Sequence, residues 1–241
     1  MQNRFAANSK GVPDPRHEIK YFISDAAHAQ LSSLLSAVLH RDKHANSRGE
    51  YFIRSLYFDD ASDSAYYQKL DGIEMRDKYR IRIYNCSDQL IFLERKHKQG
   101  EFISKSSVRI TRRLCDQLIE GRADGLHASQ SQLLQDMYRE MRTKLLKPAV
   151  IVDYTREAYT HPAEDIRITF DKKLHSGLFN HNLFDPMLNG VSPLESGKMI
   201  LEVKFNRYLP EYIRGILSTV PSQCCAISKY TLCRSFEPLG D

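Results

Sequence analysis

The sequence predicts an α+β protein in which a closed antiparallel β-barrel is covered on its outer side by helices. The first observation is a predicted β-hairpin over residues 77–98, where Ile81 and Ile83 alternate with Arg80 and Arg82. Later predicted strands repeat this pattern of one apolar and one charged face. Amphipathic helices lie between the strands, and their apolar stripes need a partner. Outer helices would cover the apolar face of a closed sheet, the charged face would line a lumen, and closure would remove the sheet edges.

The elements follow one another without an internal repeat. Residues 1–14 are polar and are expected to form a flexible lead-in, followed by one domain over 15–241. Alternation and β-branched or aromatic residues predict strands at 16–23, 51–58, the hairpin 77–98 with its turn at 85–88, 101–111, 149–159, 166–170, 199–205 and 227–231. Helical spacing of apolar residues predicts helices at 25–39, 59–70, 114–120, 129–146 and 210–220. The stretch 172–193 is expected to be a long loop.

Composition restricts the functional class. The chain has 241 residues and a formal net charge of +5, which favours anionic partners. No apolar run of about 18 residues offers a membrane span, and the N-terminal residues lack the apolar centre of a secretory signal. The five cysteines form no CxxC pair. We therefore expect a cytoplasmic protein with free thiols and without direct membrane insertion.

The predicted strands carry a biased set of charges on one face. Eleven basic residues fall on this face: Arg16, Lys20, Arg80, Arg82, Lys96, Lys98, Lys105, Arg156, Arg167, Lys204 and Lys229. Four acids accompany them: Glu18, Glu94, Asp171 and Glu202. For any single strand, a solvated sheet face would explain the pattern equally well. The repetition and the excess of positive charge favour a basic lumen.

A crowded basic lumen is stabilised by an anionic ligand. Arginine gives forked contacts to phosphate, and lysine gives a movable point charge. Arg109 shares a strand face with Lys105 and is expected to contribute. The interspersed carboxylates suit a hard divalent cation, with Glu202 and Glu18 as the best candidate ligands. The alternative for each is an ordinary cross-strand pair of glutamate with lysine.

Eight motifs in order resemble those of a known family. They are RHEIKY, LYFDDASDSAYYQKLDG, KYRIRIY, LERKHK, DYTREAY, RITFD, LEVKF and SKY. Together they resemble the polyphosphate polymerase domain of the vacuolar transporter chaperone (VTC) family. That domain is one of the triphosphate tunnel metalloenzymes, which also include the CYTH proteins. The resemblance covers about residues 16–230 and implies an eight-stranded antiparallel tunnel barrel with flanking helices.

The resemblance also implies an activity and roles for residues. Eukaryotic members transfer the γ-phosphate of ATP to a growing polyphosphate chain with Mn²⁺ or Mg²⁺. By motif, the expected catalytic residues are Lys20, Arg80, Arg82, Lys96, Arg156, Arg167 and Lys229. The expected substrate-binding residues are Arg16, Lys98, Lys105, Arg109 and Lys204. Glu202, with Glu18, is the expected metal site. The chain departs from many relatives in having Ser106 and Ser107 where they run several basic residues.

Three functions remain open from the sequence. The first is a polyphosphate polymerase acting on ATP or triphosphate and polyphosphate. The second is a tunnel triphosphatase, for which Glu94 could orient water, and the third is a non-catalytic polyphosphate-binding module. Export by this chain alone is not expected, and a membrane-protein partner would have to provide it. Nucleic acid is not expected as a partner, because the lumen would be too narrow for a duplex and no aromatic stacking run accompanies the charges. No P-loop, zinc spacing or nucleophile motif is present.

Overall fold

A single antiparallel sheet organises the molecule. The computed structural model describes residues 17–100, 102–221 and 223–235; the predicted lead-in 1–14 lies outside this part. Within these ranges, ten strands form the sheet: β1 His17–Ser24, β2 His40–Arg41, β3 Glu50–Asp59, β4 Met75–Tyr84, β5 Ser87–Gln99, β6 Phe102–Ile110, β7 Lys147–Thr160, β8 Arg167–Ser176, β9 Lys198–Phe205 and β10 Gln223–Cys224. Their order is β10-β1-β9-β8-β7-β3-β4-β5-β6, and β2 pairs with β7. The α+β class with an antiparallel sheet is as predicted.

The predicted closed barrel of eight strands is wrong in strand number and in closure. Within the described ranges, no backbone ladder joins β6 to β1 or β10, so the sheet is an open, strongly curved trough. β10 pairs with only two residues of β1, Tyr21 and Phe22, and is too short to continue the sheet. A side-chain contact spans the opening instead. Lys96 Nζ on β5 lies 3.0 Å from Glu18 Oε1 on β1, although five strands separate β1 and β5 in the sheet.

Helices cover both faces of the trough. The described part of the chain has six α-helices, α1 Asp25–Ser36, α2 Ser64–Leu70, α3 Arg112–Ile119, α4 Gln132–Thr143, α5 Glu211–Leu217 and α6 Lys229–Arg234, with a 3₁₀ turn at Leu126–Ala128. On the convex face, α3 and α4 pack on the apolar side of β4 and β5, whereas α1 and α5 pack on β8 and β9. The helices α2 and α6 lie inside the trough, where they build a third apolar cluster. None of the helices in the described ranges is long and apolar enough to cross a membrane.

The last predicted strand, 227–231, does not form, because the chain enters helix α6 at Lys229. Ser228 caps α6, and its Oγ accepts a hydrogen bond from the backbone N–H of Thr231 at 3.3 Å. Tyr230 and Cys233, three residues apart, are buried on the same side of the helix. The β-branched residues Ile227 and Thr231 favour a strand by propensity, but the cap and the burial of one helix face outweigh that preference.

The central hairpin forms as predicted, with a tighter turn. β4 and β5 are joined by Asn85 and Cys86, whose φ angles of 52° and 53° are left-handed. Two such residues form the turn whose twist matches that of paired strands. Asn85 Oδ1 also accepts the backbone N–H of Phe52 at 3.0 Å, which fixes the turn against β3. The hairpin therefore has a defined register, and every second side chain of each strand faces the inside of the trough.

A buried carboxylate ties α1 to the sheet. Glu157 of β7 accepts hydrogen bonds from Ser32 Oγ at 2.7 Å, Tyr159 Oη at 2.6 Å and Lys172 Nζ at 2.9 Å. His28 Nε2 lies 2.9 Å from it. Burial raises the pKa of Glu157, but its hydrogen bonds from His28, Tyr159 and Lys172 outweigh burial and hold that pKa well below its ordinary value. The ionised form is therefore part of the folded state.

We expect Glu157→Gln to lower the free energy of unfolding by about 3 kcal/mol near pH 7, because a buried anion that accepts several hydrogen bonds is replaced by a neutral amide. Lys172 keeps its second anionic partner, Glu50. The carboxylate stabilises the fold fully above its unfolded pKa of about 4.3, and this contribution is lost as pH falls through the lower folded value. The difference between wild type and variant should therefore shrink below about pH 4. Urea unfolding at several pH values measures it. Exposed Glu211 on α5 provides the control, Glu211→Gln; equal stabilities of both variants at pH 7 would contradict this account.

Candidate functional site

A basic cavity of about 1030 Å³ occupies the trough. Among the described residues, thirteen cationic side chains line it: Lys20, Lys69, Arg76, Lys78, Arg80, Arg82, Lys96, Lys98, Lys105, Arg156, Arg167, Lys204 and Lys229. Four acids of the described residues line it as well: Glu18, Glu94, Asp165 and Glu202. This described lining therefore has a formal excess of nine positive charges, compared with +5 for the whole chain. This concentration of charge on one surface is typical of a site for a polyanion.

Glu94 gathers three of these cations. Its Oε2 accepts from Arg80 Nε at 2.8 Å and lies 3.7 Å from Arg82 Nη1. Its Oε1 lies 2.5 Å from Lys105 Nζ. Burial raises the pKa of Glu94, but the charges of Arg80, Arg82 and Lys105 outweigh burial and lower it to about 2. Glu94 is therefore a fixed anion that holds two guanidinium groups side by side.

Strands β1 and β9 contribute a second charged group. In their register Glu18 faces Lys204 and Lys20 faces Glu202, so acids and lysines alternate across the two strands. Glu18 lies 2.7 Å from Lys20 and 3.0 Å from Lys96, and Glu202 contacts Lys204. Burial and the neighbouring Glu202 raise the pKa of Glu18, but the surrounding lysines outweigh them and lower it to about 2. Burial also opposes ionisation of Glu202, yet the same kind of surroundings hold its pKa well below the ordinary value.

Asp171, beneath the cavity, holds together a third group of charged side chains, Arg156 and Lys229. Arg156 donates through Nε to Oδ1 at 2.6 Å and through Nη2 to Oδ2 at 2.8 Å, and Lys229 of α6 also contacts Oδ2. Burial would raise the pKa of Asp171, but Arg156 and Lys229 hold it below its ordinary value. Forked contacts of this kind fix the guanidinium plane. Because Lys229 and Arg156 share one anion, α6 is attached to β7 and β8 at the cavity wall.

Tyrosines stand among the cations, and sequence reasoning did not identify them as site residues. Tyr57 Oη accepts from Arg80 Nη1 at 2.8 Å. Tyr154 lies beneath Lys229, whose Nζ is 5.0 Å from the ring centroid. Burial would raise the pKa of Tyr154, yet Arg156, Arg82 and Lys229 lower it. The signal was available, since Tyr154 precedes Arg156 by two positions on the same strand face.

The cavity contains most of the residues that the sequence analysis selected. Those lining it are Lys20, Arg80, Arg82, Lys96, Arg156, Arg167, Lys229, Lys98, Lys105, Lys204, Glu18 and Glu202. Arg167 also donates to Asp42 at 2.6 Å and to Tyr51 at 2.8 Å, which fixes it at one side. Arg16 lies outside the described residues.

Arg109 is not brought into the cavity. Arg109 lies on the same face of β6 as Lys105. Its partner on β5 is Phe92, however, which lies past the end of the charged cavity-facing residues of that strand. Its side chain is exposed, and Nη2 donates to the backbone oxygen of Gln89 at 2.8 Å. Strand alternation fixes the face of a side chain but not how far along the trough the cavity extends. A substrate-binding role for Arg109 is therefore not supported.

Three cations of the cavity were missed. Arg76 and Lys78 continue the alternation of Arg80 and Arg82 toward the beginning of β4, so the same rule could have found them. Lys69 reaches the cavity from α2, and no strand pattern marks it. The cavity is therefore longer and more basic than predicted.

The carboxylates of the cavity could bind a divalent cation only if a bound ligand supplied further oxygen atoms. Glu18 and Glu202 offer hard carboxylate oxygens on adjacent strands. Within the described residues, no cluster of three or more histidine, cysteine, aspartate and glutamate side chains could hold a metal alone. Mg²⁺ in phosphate sites is commonly held by one or two carboxylates together with substrate phosphates and water. The two glutamates match that arrangement.

Comparison with known proteins identifies the family. The model of the VTC domain matches residues 15–236, and the chain therefore belongs to the VTC domain family. The family resemblance predicted from the motifs is confirmed. A search of curated proteins finds no match.

Solved structures show more distant similarity. A candidate adenylate cyclase of Bacillus halodurans is 15% identical, covers 87% of this chain and 94% of its own, and has a TM-score of 0.49. A protein of Pyrococcus horikoshii is 15% identical, with 85% of each chain covered and a TM-score of 0.40. The family assignment rests on the domain model.

We expect Glu94→Gln to destabilise the empty cavity, because Arg80, Arg82 and Lys105 would lose their common anion. The free energy of unfolding at low salt should fall by about 3–5 kcal/mol, as when one partner of a buried ion pair is removed. Added sulfate should restore part of the loss by binding the released cations. Urea unfolding with and without sulfate measures both effects. Glu120→Gln, at an exposed site, is the matched control and should change stability by less than about 0.5 kcal/mol.

Proposed function

We propose that this protein is a polyphosphate polymerase that transfers the γ-phosphate of ATP to the end of a polyphosphate chain. The observation that carries the proposal is the arrangement of Arg80, Arg82 and Arg156, held by buried carboxylates around a cavity with excess positive charge. Phosphoryl transfer asks the protein mainly for positioning and charge stabilisation. Membership in the VTC domain family supports the same activity.

The basic side chains would have different roles according to their positions in the cavity. Arg80, Arg82 and Arg156 can offer forked donors to phosphate oxygens, and their carboxylate partners hold them in place before a ligand binds. Lys20, Lys96, Arg167 and Lys229 would add charge around the reacting phosphates, and Lys98, Lys105 and Lys204 would hold the rest of the ligand. Glu202 and Glu18 would hold Mn²⁺ or Mg²⁺, which when bound neutralises charge on phosphate oxygens.

The state of Glu94 favours transfer to phosphate over transfer to water. A phosphate-chain end is already ionised and needs no base, whereas water needs a carboxylate to orient and activate it. Glu94 is occupied by Arg80 and Lys105, and a pKa of about 2 makes it a weak base. A tunnel triphosphatase is therefore the second candidate rather than the first.

The direct test is incubation with ATP and Mn²⁺ followed by separation of the products. Long phosphate chains together with ADP are the expected result. Orthophosphate without chains would indicate a triphosphatase, and the absence of turnover would indicate a binding module. Both results would contradict the polymerase proposal.

Glu202→Gln separates catalysis from binding. The substitution keeps the size of the side chain but removes the charge that would hold the cation. We expect turnover to fall by orders of magnitude, because charge stabilisation by a metal is worth several kcal/mol in phosphoryl transfer. Metal-free affinity for polyphosphate should hold or increase, since one repelling carboxylate has left. Arg80→Ala should weaken both properties, and Arg113→Ala, on the outer helix α3, should change neither. An active Glu202→Gln protein would remove the metal assignment.

Ligand binding should also raise thermal stability. Tripolyphosphate at about 100 times its dissociation constant should stabilise the folded state by about 2.7 kcal/mol. The effect should decrease with added salt, because the attraction is electrostatic. Thermal denaturation with and without tripolyphosphate at low salt measures it, and an unchanged melting temperature across the titration would argue against an anion-binding cavity.

A further inference from the structure

One buried hydroxyl group in the wall of the trough is left without a partner. Thr169 of β8 is only 2% exposed, and its Oγ1 makes no hydrogen bond to any residue that the structure describes. It is the one uncharged side chain in the described ranges with a fully buried polar atom left unpaired. Burying an unpaired hydroxyl costs stability, and valine has the same shape without that cost. The hydroxyl therefore indicates a partner that the folded chain alone does not provide.

The strand register places one carboxylate beside this hydroxyl. On β7, Thr169 pairs with Ala158, whose methyl group cannot form a hydrogen bond. Along its own strand face, Arg167 already donates to two partners, and both oxygens of Asp171 are engaged by cations. On β9, Thr169 pairs with Glu202. Residues directly opposite on antiparallel strands have Cβ atoms about 5 Å apart, so Glu202 is the neighbouring acceptor.

Glu202 has one carboxylate oxygen that is held only loosely. Its Oε1 contacts Lys204, whereas its Oε2 lies 3.8 Å from Lys229 Nζ and 3.9 Å from Lys20 Nζ. Both of these distances exceed that of a hydrogen bond. An acceptor without a close donor therefore lies opposite a donor without an acceptor.

We propose that Thr169 is a positioning residue for Glu202, and that its hydroxyl donates to this carboxylate when Glu202 holds a divalent cation. A carboxylate that binds a metal is itself commonly hydrogen-bonded by a neighbouring group, which orients it. The side chain of Thr169 does not line the cavity, so it acts through Glu202 and is not a ligand itself. The inference rests on the proposed function, from which it takes the cation site, and adds to it a residue that carries no charge.

A neutral donor suits this task better than the surrounding lysines. Lys204, Lys20 and Lys229 stabilise the Glu202 carboxylate in the cation-free protein, but an ammonium group beside a divalent cation repels it. A hydroxyl donates a hydrogen bond without adding charge. Bound phosphate groups offer the lysines another anion. Glu202 can therefore exchange lysine contacts for the hydroxyl contact when ligand and cation enter together.

The test is isothermal titration with a non-hydrolysable β,γ-imido analogue of ATP, with Mn²⁺ and without metal, so that no turnover is needed. In the wild type, Mn²⁺ should tighten binding. Thr169→Val keeps the shape of the side chain and should weaken binding with Mn²⁺ about tenfold, the scale of losing a group that orients a metal ligand. Metal-free binding should stay within about twofold. Thr169→Ser keeps the hydroxyl and should restore the effect of Mn²⁺.

A double variant shows whether Thr169 acts through Glu202. Glu202→Gln should remove the effect of Mn²⁺, and adding Thr169→Val to it should cause no further loss. A further loss in the double variant would overturn the proposal. Thr155→Val is the matched control, because Thr155 is a half-buried strand residue on the opposite face of β7, and it should change neither affinity.

Thermal denaturation without metal or ligand gives an independent result. Thr169→Val should raise the melting temperature by more than Thr155→Val does, because it removes a buried hydroxyl that has no partner. A lower melting temperature would show that the hydroxyl is paired in the cation-free protein, and would overturn the proposal.

The outcomes also separate this role from the proposed function. Unchanged binding with Mn²⁺ in Thr169→Val would overturn the role of Thr169 while leaving the polymerase proposal intact. A wild-type protein on which Mn²⁺ has no effect would overturn both this role and the metal assignment. Loss of the Mn²⁺ effect in Thr169→Val, in a protein that forms no phosphate chains from ATP, would support the role of Thr169 and contradict the polymerase.

Discussion

Repulsion among the cations inside the trough is the constraint on which the rest of the structure depends. Four carboxylates offset this repulsion, and each one contacts at least two cations from different strands or helices: the half-buried Glu18 and the buried Glu94, Asp171 and Glu202. Their pKa values are low because of these cations, so they are ionised near neutral pH. The same contacts define the shape of the sheet, because the ion pair of Lys96 with Glu18 spans an opening that no backbone ladder closes.

The apolar residues are arranged around this constraint. Two apolar clusters lie between the convex face and the outer helices, so the alternate side chains of the same strands are free to be charged. The third cluster fills one part of the trough with α2 and α6, and Tyr230 and Cys233 of α6 are buried in it. Lys229 and Ser228, at the start of the same helix, face the cavity. A single short helix therefore closes part of the trough and supplies functional groups to the remaining part.

Period-two alternation made the inside of the trough predictable, since it depends only on neighbouring residues in a strand. It identified Arg80, Arg82 and the facing residues of β5, and extending it by two steps would have added Lys78 and Arg76. It could not predict whether the sheet closes, because closure depends on pairing between β6 and β1 or β10, the strands at the two edges of the sheet, which are far apart in the sequence. It also could not show that Arg109 lies past the end of the cavity. Lys229 was selected by motif although its element was mispredicted, because a helix start and a strand can both direct a side chain inward.

The distribution of counter-charges separates two tasks within one cavity. Where phosphoryl transfer is proposed to occur, cations such as Arg80 and Arg156 are already paired with Glu94 and Asp171, so their positions are fixed before a ligand binds. Fixed donors contribute most to a transition state because they need no reorganisation when charge develops. Arg76, Lys78 and Lys98 also line the cavity but have no carboxylate partner among the residues that the structure describes, so an incoming anion gains more from binding there than at the paired positions. A site that paired every cation would be well organised but would bind a chain weakly. A site that paired none would bind anions strongly but without a defined geometry, and the trough combines the two arrangements along one hairpin.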